Sequence, residues 1–197
     1  MGSISLAHLL RFSGLMNDFR RVTRVVHANG EDRWENDVEH SYQLAMLAWY
    51  LCEAGDLPLD SDIVLKYALV HDLVEVYAGD TYIYSDPEEL QSKPERERIA
   101  AARLKEELPE FGELHRLIEE YEERHNEESR FVYALDKLHP VLNIYLNDGR
   151  TWKEKNITFD MMLAQKRDKI AMSPEVAVYF DAILEILEKE GERVFPI

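Results

Sequence analysis

Apolar residues recur at helical spacing along almost the whole chain, and this periodicity constrains the fold more than any other feature of the sequence. In segment 38–54 the i, i+3, i+4, i+7 pattern of an amphipathic helix is approached by Leu44, Leu47, Ala48 and Leu51. No segment shows a convincing alternation of apolar and polar residues, so no strand is predicted. The sequence predicts an all-α fold, a bundle of about seven or eight helices.

Capping and helix-breaking residues divide this pattern into elements. We predict helices over 4–25, 38–54, 60–78, 94–107, 110–124, 126–147, 158–170 and 174–191. The third helix has Asp60 or Ser61 as its N-cap, and Gly79 stands where a helix-ending glycine would. Segment 80–94 contains two prolines and has no helical period, so it is predicted to be a loop.

Composition and charge exclude several classes of protein. With 46% hydrophobic and 31% charged residues among 197, the chain is neither disordered nor of low complexity. A formal net charge of −16 would repel a phosphate backbone or an anionic membrane, so we expect neither polymeric nucleic acid nor a membrane as a partner. A metal cation or a small anion stays open, because local charge can oppose net charge.

Cysteine usage and the lack of long apolar runs bear on the compartment. Cys52 is the single cysteine, which excludes an intrachain disulfide and favours a reducing environment. The sequence shows neither a secretory leader nor a run approaching about 18 apolar residues. We therefore expect a cytoplasmic protein.

Four polar residues stand where the helical pattern asks for apolar ones. His40 precedes Leu44 by one turn on the inner face of its helix, the pair His71-Asp72 interrupts a second apolar helix, and Asp136 interrupts a third. A carboxylate that points inward is costly unless a cation or hydrogen-bond donors satisfy it. Each residue alone is more simply a hydrogen-bonded core residue, but together they predict a metal site.

Two nitrogen and two oxygen donors suit one divalent ion, whether Mn, Co, Mg, Zn, Ni or Fe. An open coordination position admits a water, whose pKa the metal ion lowers so that it becomes a nucleophile for phosphorus or carbonyl carbon. Glu75 projects from the same side as His71 and Asp72, suited to acid/base work or to orienting a ligand. Asp80 can point back over the site from the loop. The alternatives are a surface helix residue for Glu75 and a simple turn residue for Asp80.

The order of these motifs resembles a known family. Val38-Glu39-His40-Ser41, the run from His71 to Asp80, and Ala134-Leu135-Asp136-Lys137-Leu138 are similar to motifs of the HD-domain metal-dependent phosphohydrolases. More narrowly, they resemble the small 5′-nucleotidases (5′-deoxynucleotidases) that act on nucleoside monophosphates. The motifs span residues 38–138, about half of the chain. The string HD, followed by Glu75 and then Gly79-Asp80, is far more specific than the dipeptide alone.

The resemblance implies one HD-type phosphohydrolase domain over residues 1–197, with the C-terminal helices packed on the motif region 38–138. It also implies a homodimer, and a single metal ion held by His40, His71, Asp72 and Asp136. In the implied mechanism a metal-bound water attacks phosphorus in line and Glu75 manages its proton. Asp80 assists the leaving oxygen or contacts the sugar.

The same family binds phosphate through an arginine of the first helical region. The candidates here are Arg21 and Arg24, which share a face of the predicted helix, and Arg33, which is closer to the first histidine motif. A solvated basic stripe is the alternative. Lys137, beside Asp136, is a further candidate substrate contact. Close relatives carry an Arg-Trp pair, whose tryptophan helps to exclude a ribose 2′-hydroxyl, where this chain has Arg21-Val22 or a nearby equivalent. The preference for deoxyribose is therefore open, and Trp34 is an alternative aromatic residue for this role.

These residues are compatible with functions of different classes. The leading hypothesis is a metal-dependent phosphomonoesterase that acts on a small phosphorylated nucleoside, such as a (deoxy)nucleoside 5′-monophosphate. The alternative is a catalytically silent metal-binding HD scaffold that recognises a nucleotide or a protein partner; Glu75 and Asp80 favour the enzyme, because a scaffold needs no acid/base groups. An iron oxygenase would usually need a second metal and further histidine ligands. Among the remaining histidines, His139 is the nearest candidate, one helical turn from Asp136.

Overall fold

The computed structural model describes residues 4–196. Over this range the helices are α1 Leu6–Phe19, α2 Asp37–Ala54, α3 Ser61–Val70, α4 Glu75–Ala78, α5 Pro87–Glu107, α6 Gly112–Glu123, α7 Glu127–Leu146, α8 Arg150–Glu154, α9 Phe159–Ile170, α10 Pro174–Lys189 and α11 Gly191–Val194. The all-α fold is confirmed, with α4, α8 and α11 as short additions of four or five residues. Within the described range, every helix is too short or too polar to cross a membrane.

The N-terminal region departs from the prediction, because the expected helix over 4–25 ends at Phe19 and two strands follow. Strand β1 (Thr23–His27) pairs antiparallel with β2 (Trp34–Asn36), with an irregular register between the two ends of the ladder. Three of the five residues of β1 are β-branched, which favours a strand, and the strand is too short to show alternation in the sequence. As a consequence Arg21 and Arg24 do not share a helical face.

The predicted helix over 60–78 is interrupted at the histidine–aspartate pair. Residues 71–74 form a turn in which the N–H of Leu73 donates to Val70 O (3.0 Å) and that of Glu75 to Asp72 O (2.8 Å). Each of these bonds joins residues three apart in the sequence, whereas an α-helix joins residues four apart, so the helix is interrupted there. The predicted boundaries are confirmed: Asp60 accepts N–H bonds at the start of α3, and Gly79, with φ of 76°, follows α4.

The predicted loop over 80–94 is also too long, since α5 already begins at Pro87. Asp86 caps this helix by accepting the N–H of Glu89, and Pro87 at the first helical position has no N–H to satisfy. Pro94 lies inside α5. The other predicted helices agree with α2, α6, α7, α9 and α10 to within a few residues at each end.

Two hydrophobic clusters meet at the turn between α3 and α4. The larger lies among α2, α3, α7, α9 and α10, and the smaller joins α1, α5 and α6. Val70 packs against both clusters, while Leu73 and Val74 belong to the smaller one. His71 and Asp72 therefore lie at the junction of the two clusters, in the interior of the molecule.

Candidate metal centre

Three separate parts of the fold bring the four predicted ligands together. His40 lies one turn into α2, His71 and Asp72 lie in the turn after α3, and Asp136 lies in the middle of α7. One donor atom from each lies within 4.8 Å of the others. The start of α2 is fixed by a capping box between Asn36 and Glu39, which sets the position of His40.

His71 presents its Nε2 atom to this cluster. Its Nδ1 lies 2.9 Å from Ala68 O, to which it can only donate, so in the neutral ring the lone pair is on Nε2. Nε2 lies 3.0 Å from Asp72 Oδ2 and 3.7 Å from Asp136 Oδ1, and it is a buried atom without a hydrogen-bond partner among the described residues. A lone pair between two carboxylates fits a bound cation.

Without a bound cation, protons on the imidazoles must supply the positive charge that balances the carboxylates of the cluster. Burial disfavours the charged form of His71, but Asp72 and Asp136 outweigh it and raise the pKa of His71 to about 10. Burial also opposes ionisation of Asp136, yet Lys137 and the two imidazoles hold the pKa of Asp136 well below its usual range. The carboxylates are thus neutralised either by a protonated imidazole or by a divalent ion.

His40 is held from both sides of its ring. Its Nε2 lies 3.0 Å from Asp136 Oδ1, while its Nδ1 lies 3.5 Å from Glu35 Oε1 and 3.3 Å from His139 Nδ1. Burial, reinforced by the charge of His40, lowers the pKa of His139 to about 3, so that ring is neutral. His139 therefore lies behind His40, outside the group of four donors.

Arg24 is the candidate arginine that the structure brings to the cluster. Its Nη1 lies 2.6 Å from Asp72 Oδ2 and 3.2 Å from Asp37 Oδ1, and its Nε lies 3.5 Å from Glu35 Oε1. Only 13% of its side chain is exposed. Strand β1 places Arg24 beside β2 and the start of α2, which supply Glu35 and Asp37.

Arg21 and Arg33 lie elsewhere. Arg21 is exposed and pairs with Asp18 at 2.8 Å, and Arg33 pairs with Glu31 and Glu39. Both line a surface groove that is also lined by Trp34, whose ring stacks on His27 with centroids 4.1 Å apart. Arg21 lies in the break between α1 and β1, and Arg33 lies in the connection between β1 and β2.

Glu75 and Asp80 flank the cluster on the side of α4. Glu75 is 3% exposed, and burial together with the charges of Asp72 and Asp80 raises the pKa of Glu75 well above its ordinary value. Burial raises the pKa of Asp80 as well, although Arg24 opposes the shift. The nearest cation to Glu75 is Lys93, whose Nζ lies 3.6 Å from Glu75 Oε1.

Lys137 orients the carboxylate of Asp136. Its Nζ lies 2.5 Å from Asp136 Oδ2, which leaves Oδ1 facing the two imidazoles. Burial opposes the charge of Lys137, but Asp136 more than compensates and raises the pKa of the ammonium group. Lys137 thus remains a cation beside the candidate metal ligands.

Two cavities reach the cluster. The first is a small cavity of about 80 Å³, lined by Arg24, Asp80 and Lys137 and by the side chains of Tyr84, Trp152, Met162 and Lys166. The second is an open groove along α5 and α6 that contains His71, Asp72, Lys93 and Glu122. Asp136, Lys137, Thr81 and Ile83 line both.

Several residues of this region were missed by sequence reasoning. Glu35 and Asp37 are buried beside Arg24, and Lys93 and Lys166 line the cavities. Asp37 is one turn before His40, so its position on the same helix face is a signal that could have been used. Glu35 gave no such signal, because it lies on the strand that was not predicted.

An all-helical fold whose interior holds this set of imidazole and carboxylate donors defines a metal-dependent hydrolase. The chain belongs to the HD domain family, whose model matches residues 16–177. It is 36% identical to the mouse 5′-deoxynucleotidase HDDC2 over 140 residues, which are 69% of this chain and 68% of that protein. It is 27% identical to the fission yeast 5′-deoxynucleotidase hdd1, over 66% of this chain and 67% of that one.

Solved structures show the same fold. A protein of Magnetospirillum magnetotacticum described as a predicted metal-dependent phosphohydrolase is 31% identical, with a TM-score of 0.81 over 98% of this chain and 100% of that one. A conserved hypothetical protein of Pyrococcus furiosus has a TM-score of 0.65 at 22% identity, over 91% of this chain, and shows the fold alone.

Proposed function

We propose that this protein is a phosphomonoesterase that hydrolyses a nucleoside 5′-monophosphate with the help of one divalent metal ion. The observation that carries the proposal is the convergence of two imidazoles and two carboxylates at a cavity that also holds Arg24 and Asp80. The names of the relatives from mouse and fission yeast support a nucleotide substrate.

We assign the metal ion to His40, His71, Asp72 and Asp136. The Nε2 of His71, which has no hydrogen-bond partner within residues 4–196, and the fixed orientation of Asp136 support this assignment. The mixed donor set suits Mn, Co, Zn, Ni, Fe or Mg. Such an ion, when bound, acidifies a coordinated water and offsets negative charge on a phosphoryl group.

Glu75 and Asp80 handle protons in this proposal. Because burial and neighbouring carboxylates raise the pKa of Glu75, it is suited to take a proton from the attacking water near neutral pH. Asp80 lines the first cavity next to Arg24, so it assists the leaving 5′-oxygen or contacts the sugar. The raised pKa of Asp80 is consistent with its carrying a proton to that oxygen.

Arg24 and Lys137 bind the phosphate group. The contacts of Arg24 with carboxylates use Nη1 and Nε, so its second terminal nitrogen is left for a phosphate oxygen. Lys137 borders both cavities from the other side. Of the two spaces, the open groove along α5 and α6, of about 740 Å³, has the room that a nucleoside needs.

A metal-swap screen tests the proposed function. Protein loaded in turn with each of the six metals should release phosphate from at least one ribo- or deoxyribonucleoside 5′-monophosphate. His71→Ala and Asp72→Ala should lose the ion and the activity together. Retention of the ion without phosphate release under any condition would instead support the silent scaffold.

We also propose that residues 1–197 form one domain, and that the protein is a cytoplasmic homodimer. Val70 packs against both hydrophobic clusters, which supports one domain, and the buried free thiol of Cys52 suits a reducing compartment. Tyr42, Trp49 and Tyr50 of α2 are exposed and give apolar surface for a second copy. Sedimentation velocity and cell fractionation test the assembly and the location.

A further inference from the structure

The first cavity is lined by two polar side chains whose end groups have no partner among residues 4–196. Lys166 of α9 is 7% exposed. The amino groups of Lys137 and Lys169 contact Asp136 and Gln165, whereas that of Lys166 makes no hydrogen bond or ion pair in this range. The hydroxyl oxygen of Tyr84 is buried and likewise without a partner there. A ligand that accepts hydrogen bonds would satisfy both groups.

The size of the cavity restricts the ligand. Its volume is about 80 Å³, and a single water needs about 10 to 15 Å³. The cavity therefore has room for a group of several heavy atoms, such as a phosphate. The neighbouring open groove, of about 740 Å³, is much larger. Of the parts of a nucleotide, the first cavity can hold the phosphate group but not the nucleoside.

The electrostatic environment of Lys166 favours an anion. Burial is the main cause that lowers the pKa of Lys166 to about 7, and the positive charges of Lys137, Lys169 and Arg24 lower it further, against Asp136. Arg24 and Lys137 line the same cavity. A position at which neighbouring cations disfavour one more positive charge is a position that attracts a negative one.

The two carboxylates that line the cavity are compensated. Asp136 pairs with Lys137 at 2.5 Å and also faces the candidate metal centre. Burial raises the pKa of Asp80, which favours its protonated form. A protonated carboxyl group donates a hydrogen bond to an oxyanion instead of repelling it.

We propose that the first cavity is the pocket for the phosphate group, and that Lys166 and Tyr84 bind this group there together with Arg24 and Lys137. The inference rests on the proposed function, to which it adds two phosphate ligands and an orientation of the substrate. The phosphate lies in the first cavity and the nucleoside in the open groove. Asp136 and Lys137 line both spaces, so the candidate metal centre lies beside the bond that is cleaved.

The cost of Lys166 to the fold supports a role in binding. A buried amino group without a partner destabilises the folded state, and a methionine of similar length would avoid this cost. Residues that break a local rule in this way are expected at functional sites. A phosphate dianion would supply the missing partner and would favour the charged form of Lys166.

Binding of inorganic phosphate tests the inference without any turnover. Isothermal titration calorimetry near neutral pH measures the Kd of phosphate for intact protein that holds one Zn²⁺ per chain. Lys166→Met should bind phosphate about tenfold or more weakly, because it loses a hydrogen bond between charged groups. Tyr84→Phe loses only the hydroxyl and should bind about threefold or more weakly.

Lys169→Met is the matched control. Lys169 lies about one turn from Lys166 on the same helix, but it lines the open groove and not the first cavity. The same charge is removed, and the Kd should stay within about twofold of the wild-type value. Thermal unfolding of each variant checks the fold. Lys166→Met should melt at a higher temperature than the wild type, so that weaker binding would not result from a damaged fold.

Three results would overturn the inference: no phosphate binding by the wild type, wild-type affinity in either Lys166→Met or Tyr84→Phe, or an equal loss in Lys169→Met. The last result would assign the effect to general charge. Nucleotide hydrolysis is measured separately. Phosphate binding that depends on Lys166, without turnover of any nucleotide, would keep the inference and defeat the proposed function. Turnover by Lys166→Met with unchanged KM and phosphate affinity would do the reverse.

Discussion

At the scale of single residues, the site depends on side chains whose two polar atoms face different partners. Asp136 gives Oδ1 to the imidazoles and Oδ2 to Lys137, and His71 gives Nδ1 to a backbone carbonyl and Nε2 to the cluster. Each side chain is thereby fixed in orientation before any ion arrives. An ion then meets preoriented donors, which reduces the ordering that binding requires.

Glu75→Gln should separate metal binding from turnover. The amide keeps the size of the side chain but cannot accept a proton, so the variant should keep the ion at His40, His71, Asp72 and Asp136 while losing activity. A loss of about 100-fold or more in kcat is expected for removal of a general base. Metal analysis and phosphate release measure the two properties, and hydrolysis at the wild-type rate would show that Glu75 has another role.

Lys166→Met should stabilise the protein in a pH-dependent way. Burial, with a contribution from Lys137, lowers the pKa of Lys166 to about 7, whereas in the unfolded chain Lys166 stays charged up to its ordinary value of 10.5. The unfolded state therefore binds more protons between these values, and the cost of Lys166 to folding is full below pH 7 and declines as pH rises. The gain should be about 4 to 5 kcal/mol below pH 7 and much smaller near pH 10.

Urea unfolding at both pH values measures this gain. Lys189→Met, at an exposed position of α10, is the control and should change stability little at either pH. A gain of equal size at both pH values would mean that Lys166 is charged in the folded state, and that packing of the methionine explains the effect.

At the scale of elements, short irregular segments position the chemistry. The hairpin carries Arg24 and Glu35 to the start of α2, and the turn after α3 lets two adjacent residues both face the cluster. Regular helices hold the other two ligands. The functional side chains thus come from the ends and interruptions of helices as often as from their middles.

The turn between α7 and α8 offers a test of backbone geometry. Gly149 has φ of +71°, and a Cβ there would lie 1.8 Å from Val194 O, so Gly149→Ala meets both strain and a clash. We expect a loss of about 2 to 4 kcal/mol in the free energy of unfolding. Gly14→Ala is the control, because it lies within α1 with open space around it, and should be neutral or slightly stabilising. Equal stability of the two variants would contradict this account.

The sequence predicted α2, α7 and α10 well but not these short segments or the first seven residues of α5. Repeated apolar positions specify α2, α7 and α10, whereas β1 has only five residues and its pairing with β2 depends on contacts across a loop. The four metal-ligand candidates were predictable, because a polar residue on an apolar face is visible in the pattern. That Arg24, and not Arg21 or Arg33, lies beside the cluster was not predictable, since it depends on the end of α1 and on the hairpin that follows.

At the scale of the whole molecule, a bound ion would join parts of the fold that are far apart in sequence. The candidate ligands come from α2, from the turn after α3 and from α7, and they lie where the two hydrophobic clusters meet. An ion there acts as a cross-link within the folded state. Its binding free energy therefore adds to the stability of the fold.

Removal of the metal should lower the melting temperature of the whole protein. A ligand present at 100 times its Kd stabilises the folded state by about 2.7 kcal/mol, which corresponds to about 5 to 10 °C for a chain of this size. Differential scanning calorimetry before and after chelation, and again after metal is restored, measures the effect. His71→Ala is the control and should not respond to the chelator; an unchanged wild-type melting temperature would contradict the assignment of the ion to these ligands.

The segment that contains Thr81 and Ile83 lies between the first cavity and the open groove, since both residues line both of them. Asp136 and Lys137 also line both the cavity and the groove, so the reaction would take place where the two spaces meet. A substrate held at Asp136 and Lys137 is therefore within reach of both spaces.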